Sequence, residues 1–231
     1  MLYHDWEPAY EAILADFGFD RAADERSRDV LAGILSNKRT LGVTDIDLSG
    51  TVAVCGAAPS LPEELSIARR ADSVIAASTA VDVLRDGGVA VDCMVTDLDK
   101  NPETARELTE TGTPVAAHAH GDNIEMVHEQ IPTFEETAVL PTTQAAPHDC
   151  VVNPGGFTDG DRAAFLADAC DADRLVFAGW DFDDPSVGRM KARKLLWAER
   201  LLRWLELRRG TRFTVLDGRR SGIELPWLDG E

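Results

Sequence analysis

Apolar residues in the first 48 positions recur at helical spacing, with Trp6, Tyr10, Ile13, Leu14 and Phe17 on one segment and Val30, Leu31, Ile34 and Leu35 on the next. The chain therefore opens as two helices. From Thr51 the pattern changes to short apolar runs ending in Gly, Asp, Thr or His, separated by helix-like stretches. That alternation predicts parallel βα units. The expected strands are 51–55, 73–77, 92–96, 114–118, 138–141, 174–179 and 213–216, and the expected crossover helices are 62–70, 80–86, 102–111, 160–170 and 188–208. Residues 141–150, PTTQAAPHDC, are the least regular interior stretch and read as a mobile loop. There is no internal repeat and no low-complexity segment. The expectation is an α/β fold, a Rossmann-like, mostly parallel sheet flanked by helices. Residues 1–48 form a helical N-terminal appendage, a cap or lid, on an α/β catalytic domain over 49–231.

Composition narrows the function. No apolar run approaches the roughly 20 residues needed to span a bilayer, and MLYHDWEPAYE lacks the basic start and apolar stretch of a secretory signal. A cytoplasmic protein without a membrane role is expected. Cys55, Cys93, Cys150 and Cys170 form no C-x-x-C pair, which removes zinc knuckles and redox motifs in favour of reduced, mostly buried thiols. The net charge of −18 argues against binding nucleic acid or anionic membrane. Few lysines and many aspartates give the chain a halophilic character. Against this background residues 189–220 hold eleven basic and three acidic side chains. Such a stretch suits an anionic ligand such as a nucleotide triphosphate, or pairs with the protein's own acidic surface.

In open parallel sheets, ligands bind outside the carboxyl ends of the strands, and reading each predicted strand to its end sorts the polar residues. TDLD places Asp97 and Asp99 at one strand exit. Two carboxylates that close repel each other, and a divalent cation removes the repulsion; Mg²⁺ suits carboxylate and phosphate oxygens. The alternative is a pair of aspartates capping the next helix. Asp45-Ile46-Asp47 has the same spacing but precedes its strand, so spacing alone assigns nothing.

HAHGDN puts His118, His120, Asp122 and Asn123 directly after another strand, a set able to ligate metal, donate to phosphate or position a hydroxyl. NPGGFTDGDR offers Gly155 and Gly156 for close backbone approach, then Thr158, Asp159, Asp161 and Arg162 before a helix. Capping by Thr158 or Asp159 is the plainer account. GAAPS, with Gly56 and Ser60, lacks both the Gly-x-Gly-x-x-Gly fingerprint and a Walker loop. Thr79 follows the second strand, Asp181 ends another strand and joins the metal candidates, and Lys191 and Lys194 open the basic helix.

In the order GAAPSL, TDLD, HAHGDN, GGFTDGDR, GWDF and basic helix, residues 50–205 resemble the archaeal 6-hydroxymethyl-7,8-dihydropterin pyrophosphokinases, whose fold is related to the catalytic domain of thiamine pyrophosphokinases. The resemblance implies transfer of the terminal diphosphate of ATP to the hydroxymethyl group of a dihydropterin, with Mg²⁺ required and AMP released. It implies that Asp97 and Asp99 hold Mg²⁺ and that Asp122 completes the site or orients the hydroxyl; Asp181, from its place at a strand end, joins that metal shell or caps the helix that follows. His118, His120 and Asn123 would contact phosphate or pterin. Gly155, Gly156, Thr158 and Arg162 would bind nucleotide or pterin, and Lys191 and Lys194 would offset charge. The product would feed a folate-like or methanopterin-like cofactor. Two other readings stay open: a metal-dependent glycosyltransferase using D-x-D on a nucleotide sugar, and a non-catalytic Mg-nucleotide-binding module. Association with a second copy of the chain is also open.

Overall fold

The computed structural model describes residues 1–228. Six parallel strands, β1 (Thr51–Cys55), β2 (Ser73–Ala77), β3 (Cys93–Thr96), β4 (Val115–Ala119), β5 (Val139–Thr143) and β6 (Arg174–Ala178), form one sheet in the order β5-β4-β3-β2-β1-β6. From β1 to β5 each step moves the same way across the sheet. Right-handed crossovers then put the connecting helices α3 (Leu61–Ala68), α4 (Ala80–Asp86), α5 (Pro102–Glu110) and α6 (Ile124–Gln130) on one face. The step from β5 to β6 runs back past β1, so its helix α7 (Asp159–Ala169) lies on the other face beside α8 (Arg189–Arg209).

Strand side chains alternate between two cores as the pleat requires. Val52, Val54, Ile75, Val95 and Phe177 face α7 and α8, while Ala53, Cys55, Ala76, Met94 and Ala117 face α3 to α6. With both faces covered, the strands read as nearly unbroken apolar runs. The reversal of direction between β1 and β6 is the topological switch point, where a ligand is expected.

The two N-terminal helices, α1 (Tyr3–Phe17) and α2 (Arg21–Leu35), each complete one of these cores. Trp6 of α1 meets Phe165 of α7 and Trp204 of α8 with ring centroids 6.2 and 6.3 Å apart. On the opposite face Leu31, Ala32 and Leu35 of α2 join the helices beside β4 and β5. Gly18, left-handed at φ 71°, ends α1 and returns its N–H to Leu14; Asp20 then starts α2 by accepting from the Ala22 amide at 3.0 Å. Both are ordinary helix-stop and helix-start devices. They set Phe19 and Asp20 at the carboxyl edge of the sheet.

Three expectations need correction. Residues 213–216 are no strand: Thr214–Leu216 is a 3-10 turn, because Phe213 and Leu216 are buried three residues apart while Val215 between them is only half-buried. Residues 141–150 are not a loose loop, since Pro141 to Thr143 continue β5, and Thr143, Gln144 and Ala145 are buried. Helix α6 was absent from the sequence pattern because Val127 is its one fully buried residue. The four cysteines are free, and burial pushes the Cys55 thiol up to about 12. Among the described residues no helix is long and apolar enough to cross a membrane.

Candidate active site

At the carboxyl edge two clefts adjoin. The first, about 320 Å³, opens beyond β3, β4 and β5, walled by the α1–α2 turn and the start of α8. The second, about 210 Å³, lies beyond β1, β2 and β6 at the switch point. They share a wall of Lys100, Thr158, Asp159 and Lys191.

The first cleft is built around the exit of β3. Leu98 takes a left-handed φ of 69°, a conformation that costs a non-glycine residue about 1–3 kcal/mol. Its side chain is fully buried, a gain of about 1.5–3 kcal/mol that offsets the strain. The Leu98 amide donates to Thr96 Oγ1 at 3.0 Å and fixes the turn. With Leu98 anchored inward, Asp97 and Asp99 both line the cleft. Asp97 Oδ1 is buried with no hydrogen-bond partner, whereas Oδ2 stands 3.6 Å from His120 Nε2. His120 Nδ1 accepts the Asp122 amide at 3.3 Å, which assigns the proton to Nε2, the nitrogen facing Asp97.

The carboxylates perturb one another. Burial alone would raise Asp97, but the neighbouring His120 and Asp99 side chains and the charge of Arg162 hold it well below the usual carboxylate range. Asp99, exposed on its outer side, is pushed up to about 6 by the protein around it and by Asp97. Asp159, at the first turn of α7, is pushed up to about 7 by burial and by the charge of Asp97, in spite of Arg162 at 3.0 Å. Three acids that resist joint ionisation, one with an oxygen left unsatisfied, fit a divalent cation. No three His, Cys, Asp or Glu side chains among the described residues form a metal cage. Mg²⁺ takes one or two carboxylates and completes its shell with water and phosphate, and Asp97 and Asp99 offer two.

Facing these acids are Lys100, Lys191 and Lys194. The chain has four lysines, so three of them line one cleft. Among the described residues none of the three forms an ion pair. Lys191 stays open to solvent, yet surrounding protein and the charges of Lys100 and Lys194 push its ammonium below the usual lysine value. Further along, the basic stretch pairs internally. Arg193 bonds Asp16 at 2.7 Å, Arg209 binds Asp168, and Arg219 and Arg220 bind Asp183, Glu199, Glu206 and Asp217. Lys191 and Lys194 therefore stay without an ion pair among the described residues, whereas Arg193, Arg203, Arg208 and Arg209 of the same helix pair with the protein's own acids.

Several expected site residues support the cleft from behind. Asn123 is buried and spends its amide on the Asp97 and His118 carbonyls at 2.8 and 2.7 Å, so it ties the exits of β3 and β4 together. His118 is buried against Thr142 Oγ1 at 3.0 Å, and burial with the charge of Arg162 holds it well below the usual histidine value, hence neutral. Asp161 is fully buried and accepts the Phe157 and Thr158 amides, the capping account of this motif. Gly155 and Gly156 are buried with φ of 102° and 95°. A side chain at Gly156 would come within 2.5 Å of the Arg162 backbone, so this turn needs glycine for packing against α7. Ser60 precedes α3 and borders neither cleft. Gly56, Thr79 and Asp181 line the second cleft, so Asp181 does not join Asp97 and Asp99; Asp159 takes the third acidic position.

Other lining residues escaped the sequence reading. Asp24 of α2, buried and without a cation partner, accepts Tyr10 Oη, the Gly121 amide and Gln144 Nε2 at 2.7, 2.7 and 2.8 Å. Gln144 in turn accepts Arg162 Nη2 at 3.3 Å. This chain of bonds joins both N-terminal helices to the His120 turn and to α7. Phe19 and Phe157 add an aromatic wall, their ring centroids 6.4 Å apart.

The cleft sets Asp97, Asp99 and Asp159 against three lysines. The family model described as 6-hydroxymethylpterin diphosphokinase MptE-like matches residues 33–186. The chain is 42% identical over 219 residues to the 6-hydroxymethyl-7,8-dihydropterin pyrophosphokinase of Methanothermobacter thermautotrophicus, covering 87% of this chain and 94% of the relative. The proteins of that name from Pyrococcus furiosus and Methanocaldococcus jannaschii are 35% and 32% identical. These matches cover 89% and 87% of this chain and 95% of each relative.

Proposed function

The chain belongs to the 6-hydroxymethylpterin diphosphokinase MptE-like family, and we propose that it transfers the β,γ-diphosphate of ATP to the hydroxymethyl oxygen of 6-hydroxymethyl-7,8-dihydropterin. The observation that carries this reading is the convergence of Asp97, Asp99 and Asp159 with Lys100, Lys191 and Lys194 around one cleft. A nucleotide-sugar transferase or a passive nucleotide-binding module does not account for the family match.

The pterin hydroxyl oxygen attacks the β-phosphorus of ATP, the bond from that phosphorus to the oxygen bridging to the α-phosphate breaks, and AMP departs with the bond's electron pair. Such a transition state needs alignment and charge stabilisation more than a strong base. Asp97 and Asp99 would hold Mg²⁺, which when bound offsets the charge of the phosphate oxygens. Lys100, Lys191 and Lys194 stabilise the charge that builds on the bridging oxygen and on the diphosphate. Asp122, exposed and two residues after His120, orients the hydroxyl and takes its proton toward solvent. His120, fixed through its Nδ1, holds Asp97 ionised. Arg162 keeps Asp159 in place through an ion pair shielded from water.

Incubation with ATP, Mg²⁺ and the dihydropterin tests the reading. AMP and a diphosphorylated pterin should accumulate in equal amounts. Release of ADP, or of AMP without pterin diphosphate, would overturn it.

A further inference from the structure

We propose that the two clefts divide the substrates: the pterin ring occupies the first, against Phe19 and Phe157, and adenosine occupies the second, against Trp180, with the polyphosphate spanning their shared wall. This deepens the ATP-dependent diphosphate transfer described above and rests on it.

In-line attack at the β-phosphorus requires the attacking oxygen and the departing α-phosphate on opposite sides of the reacting centre. The ring systems of pterin and adenosine must therefore approach the polyphosphate from different directions. Two clefts that meet at Lys100, Thr158, Asp159 and Lys191 supply that arrangement.

Chemistry decides which ring goes where. The pterin pyrimidine edge offers an N3–H and a 2-amino group, both donors, whereas the ring nitrogens of adenine are acceptors. The first cleft presents acceptors, namely the carboxylates of Asp20, Asp24 and Asp122 and the amide of Gln144. Asp24 Oδ1, buried and holding the Gly121 amide, keeps one lone pair for a further donor. Adenine has one donor group, its 6-amino, flanked by the ring nitrogens N1 and N7, which these oxygens would repel and leave unpaired.

The carboxylates that belong to the second cleft alone, Asp181 and Asp184, are not buried and sit in the loop after β6. Asp181 accepts the Asp183 amide at 2.9 Å, and Asp184 accepts the Ser186 amide at 2.8 Å. Its walls are Ala57, Ala58, Val187, Leu195 and the indole of Trp180. The indole plane is fixed by Nε1 donating to the Val54 carbonyl at 3.0 Å, and a Cβ on Gly160 would come within 2.8 Å of the ring. At its back, Ser78 Oγ is buried without a hydrogen-bond partner, a donor and acceptor waiting for a heterocycle edge. A flat, uncharged base read by backbone groups and one hydroxyl fits this surface, and the switch point of the sheet is where nucleotides bind.

The test is a pair of substrate-resolved measurements on the full chain. Base–aromatic stacking removed by truncation is worth about tenfold or more in affinity. Trp180→Ala should therefore raise the KM for ATP, and the Kd for AMP by calorimetry, by about tenfold, with the pterin KM within about twofold. Trp180→Phe should recover most of the loss. Ala57→Trp, at an exposed turn, fills the second cleft without touching the core and should have the same selective effect should Trp180→Ala not fold. A rise in pterin KM with ATP unaffected, or no change in either, overturns the assignment. Absence of AMP and pterin diphosphate from the wild-type protein sinks the underlying reaction instead, so the two failures are distinct.

Discussion

Asp45-Ile46-Asp47 and Asp97-Leu98-Asp99 have the same composition pattern, the same spacing and a buried aliphatic residue in the middle, yet they do different things. Asp45 accepts the Gly42 amide at 2.7 Å and Asp47 accepts the Ser49 amide at 3.2 Å, both exposed in the chain that leads into β1. Their charges are spent on local turns in water. Asp97 and Asp99 leave β3 at the opposite edge of the sheet, with a left-handed Leu98 between them and their carboxyls crowded against Asp159. Position relative to the strand, and the turn that the central residue adopts, set the two pairs apart. Spacing does not.

The largest expected effect breaks this contrast most severely. Asp97→Asn should reduce AMP formation by about 100-fold or more, as removal of a transition-state electrostatic contact does, while Asp45→Asn and Asp47→Asn stay within about twofold. Circular dichroism should show all three folded, and comparable losses at both pairs would erase the distinction. A second contrast lies along α8. Lys191→Ala should lower kcat/KM for ATP by about tenfold, the scale of a charge-assisted contact. Arg193→Ala, whose guanidinium is committed to Asp16, should change it by less than about twofold.

The raised acids give a pH signature. The surrounding protein and the charge of Asp97 push Asp99 up to about 6 and Asp159 up to about 7. Protonation removes the charge that a cation needs, so turnover at subsaturating Mg²⁺ should fall as pH drops from about 7 to about 6. A profile flat across that range would remove these two groups from the cation site. Without a divalent ion, the same raised values mean that the folded chain holds more protons than the unfolded one between pH about 4 and about 7. Stability from this cluster is present at the acid end of the window and is lost as pH rises through it. The smallest expected effect follows: Asp99→Asn should raise the Tm of the metal-free protein at pH 7.5 by a degree or two, modest because Asp99 is open to solvent. It should also abolish any rise on adding Mg²⁺.

Much of this architecture was legible in the chain. Alternating apolar runs gave the six parallel strands and their crossover helices apart from α6, because strands buried on both faces and two-turn amphipathic helices leave different periodicities. Residues 213–216 misled because a short apolar run is compatible with either a strand or a turn, and burial at 213 and 216 settles it only in three dimensions. Of the site, Asp97, Asp99, His120, Asp122, Asp159, Arg162, Lys191 and Lys194 were readable from strand ends and helix starts, and they line one cleft. Gly155, Gly156, Asp161 and Asn123 were readable as unusual, but their polar groups and glycine conformations serve the fold. Asp24 and Gln144 carried no sequence signal, since their bond joins residues 120 positions apart. Lys100 did carry one, adjacent to Asp99 in TDLDK, and it matters because so few lysines exist to be placed.

Crystals grown with Mn²⁺ and a non-hydrolysable ATP analogue, measured at the manganese absorption edge, probe the central claim most directly. An anomalous peak between the Asp97 and Asp99 carboxylates, with the analogue's phosphates reaching Lys191, is the predicted result. A peak at Asp181 and Asp184, or at Asp45 and Asp47, with no density for the metal beside Asp97, would contradict it.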